Sequence, residues 1–353
     1  MNQIKVLVVD DSMVFRKMIS QAVDAAPDMM VVATAADPFQ ARDMILRFEP
    51  DVMTLDVEMP KMNGIDFLRK LMPQYPLPTV MLSSLNSAVF DALEAGAVDF
   101  VNKPHDMGPE EIYKWVQEEL LLKIRTAVTA RVTKKKAIPP LPHQMQQRTV
   151  ASQPLPSRGK DYKDKILAIG ASTGGTEAIF SVVKELHSDI PGTVMVQHMP
   201  PGFTKMYAER LDTQCEVTVK EAQDGDLVEK GKILLAPGDR QMRLVKTGGL
   251  YRVEVKPGEK VSGHCPSVDV LFQSVAKVSG SNALGVILTG MGADGAKGLL
   301  EMRKRGARTL GQDEKTCIVY GMPKVAYDIG AVERQVPLEK VAGMVYNVLN
   351  SMP

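Results

Sequence analysis

The sequence predicts an α/β protein of two domains, each built on a mostly parallel sheet. Three observations carry this. Short apolar runs alternate with amphipathic helical patterns in both halves of the chain, as β-α repeats do. The periodicity lapses between the halves, in a stretch rich in Pro and Lys. A length of 353 residues exceeds one typical domain, so two is the natural count. Lys plus Arg (43) nearly balances Asp plus Glu (42), so no global basic field points to nucleic acid. The apolar fraction of 44% is ample for packed cores, and 22 methionines take up filling that 5% aromatics leave undone. Cys215, Cys265 and Cys317 are odd in number and widely spaced, which suits reduced thiols better than a disulfide frame or a zinc site. An acidic pair at Asp10 and Asp11 excludes a signal peptide there, and no apolar run is long enough to cross a membrane. The expectation is a soluble, cytoplasmic protein without membrane insertion.

The first domain is placed at residues 1–125. Its apolar runs are Ile4–Val9, Met30–Thr34, Val52–Leu55, Thr79–Leu82 and Phe100–Val101. Helical patterns follow at Val14–Ala25, Pro38–Phe48, Gly64–Leu71, Ala88–Ala95 and Pro109–Val128. Five such repeats predict a doubly wound, five-stranded parallel sheet, whose chemistry gathers beyond the carboxyl ends of its strands. The polar residues at those ends are Asp10, Asp11, Asp56, Ser83 and Lys103. Carboxylates brought together repel one another and call for a hard, oxygen-liganded cation such as Mg²⁺. Lys103 adds positive charge, and the Ser83 hydroxyl can donate to an oxyanion. Such a set is built to receive a phosphoryl group on a carboxylate. Any one of these residues alone reads as a solvated strand end; together they do not.

VVDDS, LDVEMPKMNG, MLSS and FVNKP resemble the receiver domain of bacterial response regulators. The resemblance implies a flavodoxin-like fold with Asp56 as phospho-acceptor. It implies that Asp10, Asp11 and Asp56 serve Mg²⁺, with Ser83 as the switch hydroxyl and Lys103 as the phosphate contact. It also implies that Glu58 offers only its backbone carbonyl to the metal. Phe100 stands where many receivers carry Tyr, so a switch through that hydroxyl is not expected.

Residues 126–163 read as a linker. Periodicity ends near Thr129, and Lys134-Lys135-Lys136 precedes Pro139, Pro140, Pro142, Pro154 and Pro156, the composition of a semi-extended, solvated connector.

The second domain is placed at residues 164–353. Strand-like runs recur at Ile166–Ile169, Thr193–Gln197, Glu216–Val219, Ile233–Ala236, Met242–Lys246, Tyr251–Lys256, Ala283–Leu288 and Ala307–Leu310. Thr247-Gly248-Gly249 reads as a hairpin turn, so an antiparallel hairpin interrupts a mostly parallel α/β plan. Helical patterns lie near Thr176–Leu186, Phe203–Leu211, Ser267–Val278, Gly295–Arg305 and Leu338–Leu349. No helix-turn-helix pair follows the linker, which disfavours DNA binding as the output.

Three apolar runs end in reactive residues. KILAIGASTGG fits G-x-S-x-G at Gly170, Ser172 and Gly174, a tight turn that exposes a serine ahead of a helix. TVMVQHMPPGF puts His198 at a strand end, and ALGVILTGMGADG leads to Asp294. Singly, these read as a glycine turn, a structural histidine and a cap on the helix that starts near Gly295. Jointly they supply a nucleophile, a base and an orienting carboxylate to one sheet edge. Their order is Ser–His–Asp, which argues against the α/β-hydrolase family. Gly290-Met291-Gly292 offers backbone N–H groups to an oxyanion. His264-Cys265, in GHCPSVD, reads as a wall of the cleft rather than a Cys-His nucleophile.

A receiver followed by GASTGG, QHMP and TGMGADG resembles the chemotaxis-specific protein-glutamate methylesterases, which are also glutamine deamidases (the CheB family). The resemblance implies Ser172 as nucleophile, His198 as base and acid, Asp294 as its carboxylate and the Met291 N–H as oxyanion donor. It implies a triad that needs no cofactor at the esterase site. Chemoreceptors whose glutamyl methyl esters are hydrolysed would be the substrates, and a chemotaxis histidine kinase the phosphodonor. A slack linker between an acid-pocket domain and an esterase predicts that the unphosphorylated receiver inhibits. The competing expectation is a non-catalytic output domain that binds a partner on phosphorylation.

Overall fold

The computed structural model describes residues 3–83, 88–104, 108–132, 162 and 164–352. Most of the expected linker lies outside the described residues. The chain divides into two compact units, Met1–Gln146 and Gln147–Pro353.

In the first unit the strands are β1 (Ile4–Val9), β2 (Met29–Ala35), β3 (Val52–Asp56), β4 (Thr79–Ser83) and β5 (Asp99–Asn102). They form one sheet in the order β2-β1-β3-β4-β5, with every pairing parallel. Val6 to Val9 have no exposed surface, as expected of a central strand covered on both faces. The helices are α1 (Met13–Asp24), α2 (Pro38–Phe48), α3 (Gly64–Leu71) and α4 (Val89–Ala95). Side-chain caps start the first three: Ser12 accepts from the Phe15 N–H, Asp37 from Phe39 and Gln40, and Asn63 from Asp66. The last helical pattern is not one uniform helix. It runs as α5 (Pro109–Trp115), a π-helical turn at Val116–Leu120, and α6 (Leu121–Val128).

The second unit holds a seven-stranded sheet. Its strands are β6 (Ile166–Ala171), β7 (Thr193–Gln197), β8 (Thr218–Glu221), β9 (Lys232–Leu235), β12 (Ala283–Ile287), β13 (Arg308–Gln312) and β14 (Arg334–Val336). The order is β14-β13-β12-β6-β7-β9-β8, and all pairings are parallel. β10 (Gln241–Thr247) and β11 (Leu250–Lys256) make a separate antiparallel hairpin. Its tip residues Gly248 and Gly249 have φ of 60° and 82°, the positive values that a type I′ turn requires at both central positions.

The helices are α7 (Gly175–Val183), α8 (Phe203–Gln214), α9 (Val268–Ser279), α10 (Ala296–Lys304), α11 (Met322–Asp328) and α12 (Val341–Ser351). Met242, Leu244, Val253 and Val255 of the hairpin share one core with Leu271, Phe272 and Val275 of α9 and with sheet residues such as Val194 and Ile287. Two expectations need correction. The first strand continues through Gly170 and Ala171 rather than ending at Ile169, because Gly170 keeps its ladder partners Ile287 and Val196. In addition, β14 and α11 have no counterpart in the sequence reading. Three and seven residues are too few for an apolar period to register.

Candidate active site and acidic pocket

The order of the first sheet reverses direction between β1 and β3, where doubly wound sheets form a crevice. Asp10 follows β1, Asp56 ends β3, Ser83 ends β4 and Lys103 follows β5, so the structure brings four of the predicted residues to one edge. Lys103 Nζ lies 2.8 Å from Asp10 Oδ2 and 2.6 Å from Asp56 Oδ2. The Ser12 N–H donates to Asp10 Oδ1 (2.9 Å) and the Glu58 N–H to Asp56 Oδ1 (3.3 Å). Burial pushes the Asp56 carboxyl up to about 6, against the lysine that favours its charge. Burial likewise raises Asp10. Burial opposes the Lys103 ammonium, yet the two carboxylates prevail and raise it.

Asp11 is the exposed member of the acidic group, and ligand oxygens of Asp10, Asp11 and Asp56 lie within 4.8 Å of one another. Three carboxylates against one lysine leave net negative charge among oxygen donors only, a set that fits Mg²⁺. Ser83 and Phe100 are both buried.

In the second sheet the reversal falls at β6, flanked by β12 and β7. Ser172 follows β6, His198 follows β7, and the loop after β12 reaches Asp294. The chain turns tightly at the serine. The Ser172 N–H donates to the Thr289 carbonyl (3.0 Å), and its own carbonyl accepts from the Gly175 N–H (2.7 Å). Gly174 takes φ of 75° to start α7, and a Cβ there would lie 2.6 Å from Ile318 Cβ, so only glycine fits. Gly290 approaches from the β12 side; a Cβ on it would lie 2.8 Å from Ser172 Cβ. This contact sets Gly290-Met291-Gly292 against the serine, with the Met291 residue partly exposed.

His198 and Asp294 meet directly: His198 Nε2 lies 2.8 Å from Asp294 Oδ2. Asp294 is buried, and it accepts three further hydrogen bonds at the start of α9. They come from Ser267 Oγ (2.7 Å) and from the N–H groups of Val268 (2.7 Å) and Asp269 (3.0 Å). Burial alone would raise this carboxyl, but the hydrogen bond and charge of His198 together with the α9 donors hold it below its ordinary value. The reading of Asp294 as a cap on the helix starting near Gly295 is therefore corrected. It caps α9, while Asp269 of α9 returns the favour by accepting from the Gly298 N–H of α10 (2.7 Å).

A carboxylate accepts, so the Nε2 facing it carries the proton and Nδ1 carries the lone pair. That Nδ1 is buried and has no hydrogen-bond partner among the described residues. The carboxylate contact is thus made through the nitrogen opposite to the one used in the chymotrypsin arrangement.

Two residues near these groups make contacts the sequence reading does not anticipate. Gln197 Nε2 donates to the carbonyls of both Ser172 (2.9 Å) and His198 (3.2 Å), tying the two loops together. Its only sequence mark is a polar residue ending an otherwise apolar strand. His264, read as a wall of the cleft, stacks its ring on that of His198 at 3.7 Å between centroids and 13° between planes. No spacing rule predicts that, since the two are brought together by separate loops.

Residues 167–345 match the family model described as CheB methylesterase, and residues 6–117 match that of the response regulator receiver domain. Over 354 aligned residues the chain is 56% identical to a protein-glutamate methylesterase/protein-glutamine glutaminase 2 of Syntrophomonas wolfei, covering 100% of this chain and 99% of the relative. It is 47% identical to a protein-glutamate methylesterase/protein-glutamine glutaminase of Salmonella typhi, covering 97% and 96%. The crystal structure of the Thermotoga maritima CheB methylesterase catalytic domain aligns with a TM-score of 0.51 at 38% identity, covering 52% of this chain and 98% of that domain.

Proposed function

The chain belongs to the CheB methylesterase family and carries a response regulator receiver ahead of the methylesterase region; on that premise we propose that it hydrolyses glutamyl methyl esters, and deamidates glutamines, on chemoreceptors under control of phosphorylation at Asp56. The observation that carries the catalytic half is the imidazole of His198, bonded to buried Asp294 through one nitrogen and left with a lone pair on the other.

In this reading Ser172 Oγ attacks the side-chain carbonyl carbon of the substrate, and His198 Nδ1 takes the hydroxyl proton. Asp294 holds the ring and balances the imidazolium that forms. The Met291 N–H donates to the oxyanion. His198 returns the proton to the leaving group, methanol from an ester or ammonia from an amide, and an acyl-serine remains. Water, deprotonated by the same imidazole, hydrolyses it and restores Ser172. One site serves both reactions because they differ only in the leaving group. No step calls for a metal or an organic cofactor.

In the receiver, Asp10, Asp11 and Asp56 would hold Mg²⁺, which when bound supplies positive charge to offset that of the incoming phosphoryl group. Asp56 is the acceptor, Lys103 contacts the phosphate and Ser83 reads its arrival. A chemotaxis histidine kinase is the expected donor. The domain limits proposed are 1–125, 126–163 and 164–353.

The test is covalent labelling of the full chain by a fluorophosphonate, alongside methanol release from methylated receptor. Labelling confined to Ser172 and abolished in His198→Ala supports the reading. A wild-type chain left unlabelled even with a small-molecule phosphodonor present would sink it in favour of an output domain that only binds.

A further inference from the structure

The stacked pair His198–His264 has no place in the reaction as written, and the chain spends considerable local structure on it. His264 closes a tight turn with Val261: each N–H donates to the other's carbonyl, at 2.9 and 3.0 Å. Between them Ser262 and Gly263 have φ of 54° and 84°, the paired positive values of a type I′ turn, costly for a serine. The His264 carbonyl also accepts from Gln241 Nε2 (3.3 Å), and Gln241 Oε1 accepts from the Ser267 N–H (2.9 Å). Ser267 then begins α9, whose first donors hold Asp294. One continuous stretch, His264 to the first turn of α9, thus meets His198 on its ring face and Asp294 on its oxygens.

The geometry explains why both contacts are needed. A single hydrogen bond from Nε2 to Asp294 fixes one atom of the imidazole; the swing of the ring about that bond, and with it the direction of the Nδ1 lone pair, is left to other contacts. Contact of a second ring, 3.7 Å away and 13° from parallel, restricts that swing.

We propose that His264 is a positioning residue for this hydrolase: its stacked ring fixes the plane of His198. The proposal rests on the assignment of Ser172, His198 and Asp294 as the reacting set. It takes the GHCPSVD motif from cleft wall to part of the base's mounting.

The measurement compares His264→Phe with His264→Leu in the full chain, since both fill the space and only one offers a ring. Read-outs are the fluorophosphonate labelling rate, kcat and KM for methanol release, and the melting midpoint. His264→Leu is expected to label about tenfold more slowly, or about 1.4 kcal/mol at the transition state. The loss should fall on kcat with KM unchanged, while His264→Phe stays within about threefold of wild type. Should the leucine variant melt early, His264→Gln replaces it, with the same expectation. Equal labelling by the leucine and wild-type chains, or equal losses in Phe and Leu, would overturn the proposal while leaving the triad standing. Absence of labelling in wild type would instead remove the triad, and this inference with it.

Discussion

At the scale of single residues, the catalytic half depends on contacts that leave no slack. Gly290 is the sharpest case. Adding a methyl group there would set it 2.8 Å from Ser172 Cβ, with Met322 Sδ closing the other side. The sulfur sits on a flexible side chain and can yield; the serine Cβ is one bond from the backbone and cannot. Gly290→Ala is therefore expected to keep the fold while moving Ser172. A displacement of about 1 Å at a reacting group costs on the order of 100-fold, and fluorophosphonate labelling should fall by about that factor. Labelling at the wild-type rate would mean that the 289–292 loop gives way instead.

The same scale explains what could be read early. Ser172, His198 and Asp294 stand out in sequence because each ends an apolar run, and strand ends are where a parallel sheet collects its chemistry. Gln197 does not stand out, and His264 stands out only as a wall of the cleft. A buried glutamine earns its place through two carbonyls that belong to other loops, and a stacked ring through a partner 66 positions away by number (264 minus 198).

At the scale of elements, α9 and α10 exchange acidic caps, with Asp294 on one and Asp269 on the other. Helix starts carry unpaired N–H groups, and here their donors are buried. Asp294→Ala would strand the Ser267 hydroxyl and the Val268 and Asp269 N–H groups. Each buried unsatisfied donor costs about 1–3 kcal/mol, so the variant should melt well below wild type as well as lose activity. Ser172→Ala should lose activity and keep its melting point. Equal melting points for the two would show that water replaces the carboxylate at no cost.

At the sheet edge, Arg308 of β13 grips Glu333, just before β14, through Nε (2.7 Å) and one terminal nitrogen (2.6 Å). The guanidinium holds the Glu333 carboxyl below its ordinary value. A carboxyl depressed in the folded state adds stability above its unfolded pKa, about 4.3, and that stability drains away as pH falls through the folded value. The melting-point gap between wild type and Arg308→Met should thus be full at neutral pH and close on acidification below about pH 4. A gap independent of pH would assign the effect to packing of the arginine stem. β14 itself escaped the sequence reading because a three-residue edge strand is held by its neighbour and by this ion pair, not by its own pattern.

For the whole molecule, the two halves carry separate chemistry: a carboxylate pocket in one unit and a serine site in the other. On the proposed function, phosphorylation at Asp56 would add about two negative charges, enough to bias an equilibrium of a few kcal/mol. Methanol release by the full chain is expected to rise with a small-molecule phosphodonor, and Asp56→Asn should not respond. Removal of residues 1–150 should raise the basal rate. A rate that is slower or unchanged after removal would exclude an inhibitory receiver, leaving phosphorylation to act by promoting receptor encounter instead.

What the sequence by itself determined is the repeating β-α plan, the break between the halves, and the strand-end residues of both sites. Local periodicity and turn chemistry are properties of short windows, so they can be read from one chain. Only the tertiary structure decided which helix Asp294 caps, which imidazole nitrogen stays open, and which ring lies against His198. Those facts depend on the order β12-β6-β7, which sets side by side strands that are distant in the chain. Close packing then turns that neighbourhood into distances of about 3 Å, the range over which hydrogen bonds act.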